Sequence, residues 1–219
     1  MYKLKLISLV FLMIWTTGCQ KQEQVNQQES KIMTVDVEYP VNYDEDVLFE
    51  GYQKIKVEAC NLGGSRMPNA VVDIGYGQRE YWAFTNEYGQ LIKVVAKEVT
   101  LQDDKKENVN SKGRYCRDEA KVSGTERKDL DEGHVIADSL GGVSNAYNIT
   151  PQNSVQNRQG DQAFMEETIR QAGGCQNFLA IITYPDTTTQ IPSHYSYYYT
   201  IDGEVIHDEF DNEDPEKGK

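Results

Sequence analysis

The chain predicts an α+β fold in one domain, and three stretches predict it. "PNAVVDIGYGQREYWAFTNEYGQLIKVVAKEVTLQDD", from Pro68, sets β-branched and aromatic residues on both sides of a turn at Asn86, Glu87, Tyr88 and Gly89, which reads as a β-hairpin. "GDQAFMEETIRQAGG", from Gly160, places Phe164, Thr168, Ile169 and Ala172 on one helical stripe and ends in two glycines suited to a C-cap. "FLAIITYP" and "SHYSYYYTIDGEVIH" read as strands, with Asp202 and Gly203 as a tight two-residue turn. Strands, loop, helix and strands in that order argue for an antiparallel sheet with a segregated helix.

A length of 219 residues suits one core better than two. The first residues, "MYKLKLISLVFLMIWTTGCQ", combine Lys3 and Lys5, an apolar run from Leu6 to Trp15, and small residues ahead of Cys19. That is the pattern of an export signal, and its apolar run is shorter than the roughly 20 residues a bilayer span needs. "TTGC" resembles the lipobox of bacterial lipoproteins, which implies a signal over 1–18 and a lipidated Cys19. The expected location is the outer face of the cell membrane, or the surroundings if the lipobox is not used. Residues 19–34 are polar and glutamine-rich and read as a tether. The domain is expected over 35–210, with an acidic tail at 211–219.

Export implies an oxidising compartment, where Cys60, Cys116 and Cys175 supply one disulfide and leave one thiol, in a pairing the sequence does not choose. No C-x-x-C spacing offers a metal site. A formal net charge of −13 excludes a general cationic surface, and with it a nucleic-acid coat protein. It does not exclude an enzyme that grips phosphate locally. The one basic stretch, residues 103–128, is either a solvated loop or a phosphate-facing one; Arg114 and Arg127 are its candidates.

Chemistry concentrates in "DLDEGHVIADSLGGVSNAYNITPQNSVQNRQG", from Asp129, which holds one of the chain's three histidines. A histidine titrates near neutrality and is a natural general base for activating water. Hydrolysis of an inert phosphodiester also needs an electrophile, and Mg²⁺, which keeps several waters and needs few protein ligands, is suited to a single asparagine oxygen. Asn145 and Asn153 read as turn residues. Asp138, four after His134, reads as a turn or N-cap residue rather than a second metal ligand. His194 and His207 read as packed strand residues, and no two histidines have the spacing of a zinc site. Tyr195, Tyr197, Tyr198 and Tyr199 read as a packed strand with one wet side rather than a base-stacking platform.

The spacing His134, thirteen residues, Asn148-Ile149-Thr150-Pro151-Gln152, four residues, Asn157, then Gly160, five residues, Glu166, three residues and Arg170 resembles the DNA/RNA non-specific endonuclease family of Serratia-like nucleases. The resemblance is close over about residues 129–172 and loose elsewhere. It implies a ββα-metal core with flanking hairpins, in an enzyme that hydrolyses DNA and RNA and leaves 5′-phosphates. By motif position it implies His134 as general base and Asn157 as the sole direct protein ligand to Mg²⁺, with Mn²⁺ a plausible substitute. Asn148 would support the site's geometry, and Glu166, or else Glu167, would hold metal-bound water. Arg170 joins Arg114 and Arg127 as a candidate for substrate binding. Nothing reads base sequence, and no obligate protein partner is implied. The family commonly writes Asp-Arg-Gly-His, whereas this chain has Asp131-Glu132-Gly133-His134, which motivates a second expectation: a surface lipoprotein of the same fold that binds nucleic acid, or acts in adhesion, with impaired catalysis.

Overall fold

The computed structural model describes residues 38–215. The signal over 1–18, Cys19, the tether over 19–34 and the domain's expected start at residue 35 lie outside the described residues.

Asp44 caps the short helix α1 (Glu45–Leu48) by accepting from the Asp46 N–H, and the chain then enters β1 (Gln53–Ile55). The predicted hairpin is β3 (Tyr81–Thr85) and β4 (Leu91–Thr100), preceded by β2 (Ala70–Asp73). Leu130–His134 forms β5, Asp138–Leu140 a 3-10 turn, and Ile149–Asn153 β6. Two helices follow, α2 (Ser154–Gln159) and α3 (Asp161–Ala172), then β7 (Gly174–Thr183), β8 (His194–Ile201) and β9 (Glu204–Asp211).

Seven strands pair in the order β1-β2-β3-β4-β7-β8-β9, and β5 pairs with β6 in a separate two-stranded sheet. Only β1 and β2 run parallel. Strands β4 and β7 are neighbours, so β5, β6, α2 and α3 form an insertion between two adjacent strands of the large sheet. Both faces of that sheet are covered. One packs Tyr81, Phe178, Tyr195, Tyr197 and Tyr199 against Val135, Ile136, Ile149, Met165 and Ile169 of the insertion. The other packs Trp82, Phe84, Val95 and Leu179 against Leu48, Tyr39, Val41 and Phe49 of the N-terminal strap. All five residues of β3 are therefore buried, as expected of a strand between two layers.

The predicted turns are present. Asp202 and Gly203 have φ of 52° and 83°, the left-handed pair a two-residue hairpin needs. Gly173, with φ 81°, donates its N–H to Ile169 and Arg170 and ends α3. The tyrosine strand alternates: Tyr195, Tyr197 and Tyr199 are buried, while Tyr198 stacks on His207 on the other face.

Three details differ from the sequence reading. Phe164 is 68% exposed, and α3 buries Gln162, Met165 and Ile169 instead, because its inward stripe carries polar side chains towards His134. Strand β9 runs to Asp211, and Asn212 accepts from the Asn153 N–H and donates to the Pro151 and Pro192 carbonyls, so the fold continues into the expected tail. Pro151 sits within β6, where its missing N–H is tolerated because β5 is the only partner strand. The disulfide joins Cys60 to Cys116 and leaves Cys175 buried as the free thiol. Among the described residues no helix is long and apolar enough to cross a membrane.

Candidate functional site

The insertion is a ββα unit, with His134 at the end of β5 and Asn157 on α2. Gly133 is required by close approach: a Cβ there would overlap the Gln152 side chain, which lies across it. The loop from β5 to β6 is tied by Asn148, which is fully buried. Its Oδ1 accepts from the Ile136 N–H (3.0 Å), and its Nδ2 donates to the carbonyls of Ile136 (2.8 Å) and Val143 (2.7 Å). Every capacity of the amide facing the backbone is used. Asn148 therefore shapes the loop beside His134.

His134 is partly buried, its Nε2 3.3 Å from Ser144 Oγ and 3.6 Å from Asp138 Oδ2. Burial holds the imidazole below its usual pKa; Arg114 acts in the same direction and Asp138 against it. The neutral form, which a general base requires, is thereby favoured at neutral pH. Asp138 opens the 3-10 turn, as the turn reading expects, but it is not the N-cap: Ala137 holds that position with no side-chain bond, and the Asp138 carboxylate turns to His134 and the Tyr115 N–H. Its signal in the sequence was the four-residue spacing from His134.

Glu166 lies one helical turn beyond Gln162, whose Nε2 donates to Glu166 Oε1 (2.8 Å) and to the His134 carbonyl (3.2 Å). Burial raises the Glu166 carboxyl to about 7, with Gln162 and Arg170 pulling it down and Asp138 pushing it up. Glu167, the alternative, is exposed and ion-paired with Arg170. The geometry thus selects Glu166 as the inward carboxyl.

Asn157 belongs to a different hydrogen-bond system. Its Nδ2 donates to Asp131 Oδ2 (3.2 Å), and Arg158 grips the same carboxylate at 2.8 and 2.6 Å. A carboxylate only accepts, so the amide nitrogen must face it and Oδ1 is left with no protein donor. Asp131 and His134 are three residues apart on β5, and strand alternation directs them to opposite faces. No hydrogen bond or ion pair among the described residues joins Asn157 to His134 or Glu166. The structure brings His134, Asp138, Glu166, Arg114 and Arg170 into one set of contacts, and Asn157 is held by Asp131.

Of the arginines, Arg114 is paired with Glu119 and lies 3.8 Å from Asp138, and Arg170 reaches Ser139 (3.4 Å) and Glu166 (3.7 Å). Arg127 is bidentate on Asp129 in an exposed pair, outside this cluster. Glu132, in place of the family's arginine, accepts an ion pair from Lys121 at 2.9 Å. His194 bonds Asp211 and His207 stacks on Tyr198 at the β8–β9 edge, and among the described residues no three His, Cys, Asp or Glu side chains form a metal-holding group. A cleft of about 1070 Å³ lined by Tyr76, Arg79, Lys97, Lys106 and Asn177 includes neither His134 nor Asn157. Sequence reasoning missed Ser144, Gln162 and Arg158, whose residue types mark no chemistry until the fold brings them to His134 and Asp131.

No curated protein matches the chain. Among solved structures it is similar to NucA from Streptococcus agalactiae with magnesium bound, at 15% identity and a TM-score of 0.47, over 65% of this chain and 74% of that one. The same nuclease with no metal bound gives 14% identity and a TM-score of 0.47, over 68% of this chain and 77% of that one. The family model described as DNA/RNA non-specific endonuclease matches residues 72–203, from β2 to the β8–β9 turn. Since that match takes in most of the large sheet and the whole ββα unit, the chain belongs to the DNA/RNA non-specific endonuclease family.

Proposed function

We propose that the chain is an exported, lipid-anchored endonuclease that hydrolyses phosphodiesters of DNA and RNA without reading base sequence, with Mg²⁺ or Mn²⁺ as cofactor. The observation that carries this reading is an imidazole set beside the Asp138 carboxylate at the end of the first strand of a ββα unit, inside the span of the family match. His134 removes a proton from the attacking water, whose oxygen bonds to phosphorus as the 3′-oxygen departs. The product then carries a 5′-phosphate.

The donor set fits a hard cation. Asn157 Oδ1 is neutral and has no protein donor, and Mg²⁺ holds most of its shell as water, so contact between Asn157 and His134 is not required. A divalent cation supplies charge neutralisation for the phosphate and the departing oxygen. Asp131 and Arg158 hold the Asn157 amide with its oxygen outward. Glu166, tied through Gln162 to the backbone of His134, orients water on the α3 side, and Arg114 and Arg170 offer cationic charge beside the phosphate. Backbone-directed binding by a few cations in an acidic protein is expected to weaken steeply with salt.

Nicking of supercoiled plasmid, with Mg²⁺ and with EDTA, tests this. His134→Ala is expected to lower cleavage by about 10²–10⁴-fold while keeping the fold and metal affinity. Asn157→Ala is expected to lose both metal affinity, read by calorimetry, and cleavage. Plasmid and RNA left intact by the wild-type protein under every divalent ion would favour the second reading, a binding or adhesion lipoprotein. Glu132 motivates that reading, although Lys121 offsets its charge. For export, Cys19→Ala should release the protein from the membrane fraction.

A further inference from the structure

We infer that Asp138 is a positioning residue for His134: it fixes the proton on Nε2 and leaves Nδ1 as the atom that receives the proton from water. The inference rests on the reading of His134 as general base.

The local geometry requires such a device. Two groups lie near Nε2, Ser144 Oγ at 3.3 Å and Asp138 Oδ2 at 3.6 Å, and no described residue hydrogen-bonds Nδ1. The Ser144 hydroxyl is fully buried and is ambivalent: it can accept from a protonated Nε2 or donate to a bare one. Alone, it would permit both neutral tautomers, and the one with the proton on Nδ1 has no lone pair to offer water on that side. A carboxylate only accepts. The Asp138 charge, 3.6 Å away, therefore breaks the tie in favour of Nε2–H, and Ser144 Oγ accepts its hydrogen bond. When Nδ1 takes a proton from water, the ring becomes a cation, and the Asp138 charge beside Nε2–H stabilises it.

Asp138 is itself held in place by its neighbours. It opens the 3-10 turn without capping it, since the N-cap position belongs to Ala137. Its Oδ1 accepts from the Tyr115 N–H (3.3 Å), which keeps Oδ2 towards the imidazole. Its neighbour Ser139 is bonded by Arg170 (3.4 Å). Charged groups approach from each side. Arg114, from the 103–128 segment, lies 3.8 Å from Asp138 Oδ2 but is shared with Glu119; Glu166 and Arg170 face it from α3; Glu132 and Lys121 lie towards the start of β5. Asp138 is the carboxylate paired with the ring nitrogen itself.

The test uses nitrogen-15 NMR of protein labelled in the histidine rings, with His194→Ala and His207→Ala assigning the other two signals. It is combined with steady-state cleavage of a duplex oligonucleotide as a function of pH. In the wild-type protein His134 should be the Nε2–H tautomer. Asp138→Asn should erase that preference and lower kcat by about tenfold to a hundredfold with KM nearly unchanged, a fraction of what a general base contributes. Loss of the carboxylate should also shift the acid limb of the kcat profile to lower pH, because the imidazolium loses its counter-charge.

Ser144→Ala should keep the Nε2–H tautomer, which holds the inference open to test even where Asp138→Asn fails to fold. A wild-type Nδ1–H tautomer overturns it. So does loss of the preference in Ser144→Ala, or a kcat loss in Asp138→Asn with the tautomer and the acid limb unmoved, which is the signature of a merely structural residue. A wild-type protein that cleaves nothing would remove the catalytic reading, while the ring signals would still decide whether Asp138 sets the tautomer.

Discussion

The large sheet and the ββα unit inserted between β4 and β7 are cores built from different materials. The sheet is held by apolar side chains on two faces and by a continuous backbone ladder. The insertion buries amides and hydroxyls: among the described residues, eight of the eleven buried polar ones, from Ser144 to Gln162, belong to it. Each such group needs a partner or costs about 1–3 kcal/mol, so the insertion is specified by directional bonds where the sheet is specified by volume. That difference follows from what each region does. A site that must hold an imidazole, a carboxyl and an amide in fixed orientations cannot be built from hydrocarbon alone.

The comparison is broken or sharpened first by truncation in each region. Phe84→Ala, on the strap side of the sheet, should cost about 3–5 kcal/mol of stability while leaving kcat, measured well below the melting transition, close to wild type. Asn148→Ala leaves an N–H and two carbonyls around Ile136 and Val143 unpaired in a dry loop and should cost about 3 kcal/mol or more. Unlike Phe84→Ala, it should also lower kcat at temperatures where the protein remains folded. Denaturant melts paired with plasmid nicking separate the two, and an Asn148→Ala protein with full kcat would show that the loop does not hold His134.

The disulfide gives a similar contrast. Cys60–Cys116 closes 56 residues of chain, worth about 4 kcal/mol on loop-entropy grounds. It secures the irregular segment that carries Arg114 and Tyr115 to Asp138. Reduction is therefore expected to lower the melting temperature and to reduce kcat beyond what the stability loss explains. Equal activity in reduced and oxidised protein, assayed well below melting, would separate Arg114 from the site.

The sequence disclosed the two regions unequally, for the same reason. The sheet strands are rich in β-branched and aromatic residues, and the turns at 86–89 and 202–203 carry the glycines their backbone needs, so the hairpins were legible. Strand β6 was hidden, because "ITPQN" has a proline within it and buries polar side chains, Thr150, Gln152 and Asn153. On α3, an apolar stripe through Phe164 was the reasonable reading, and it failed because the helix buries Gln162 towards His134. Motif spacing pointed to His134, Asn157 and Glu166, but spacing does not say who touches whom. The hold of Asp131 on Asn157, and the turn of Asp138 towards the imidazole, depend on chain reversals that no local pattern encodes.

The Glu166 carboxyl offers a smaller, pH-dependent test. Its pKa in the fold, about 7, lies above its unfolded value, so the native state holds that proton more tightly. The resulting stabilisation is present in full below about pH 4.5 and is lost as pH rises through about 7. Glu166→Gln, which cannot ionise, should lack this component. The variant should lose less stability than wild type between pH 5 and pH 8 in parallel thermal melts. Identical pH dependence in both proteins would mean that solvent reaches Glu166 and that this part of the insertion is not dry.

The smallest effect is expected at Arg127, where the basic stretch, read as either a solvated or a phosphate-facing loop, ends in an exposed pair with Asp129. Such a pair is worth about 0–1 kcal/mol, so Arg127→Ala should barely change stability. Because Arg127 stands outside the cluster around His134, KM for duplex DNA and its slope against salt should also stay close to wild type. Arg170→Ala, which removes a cation next to Glu166 and Ser139, should raise KM and flatten that slope by about one ion. If Arg127→Ala flattened the slope as much as Arg170→Ala, the backbone would follow the 103–128 segment, and the substrate face would extend well beyond the insertion.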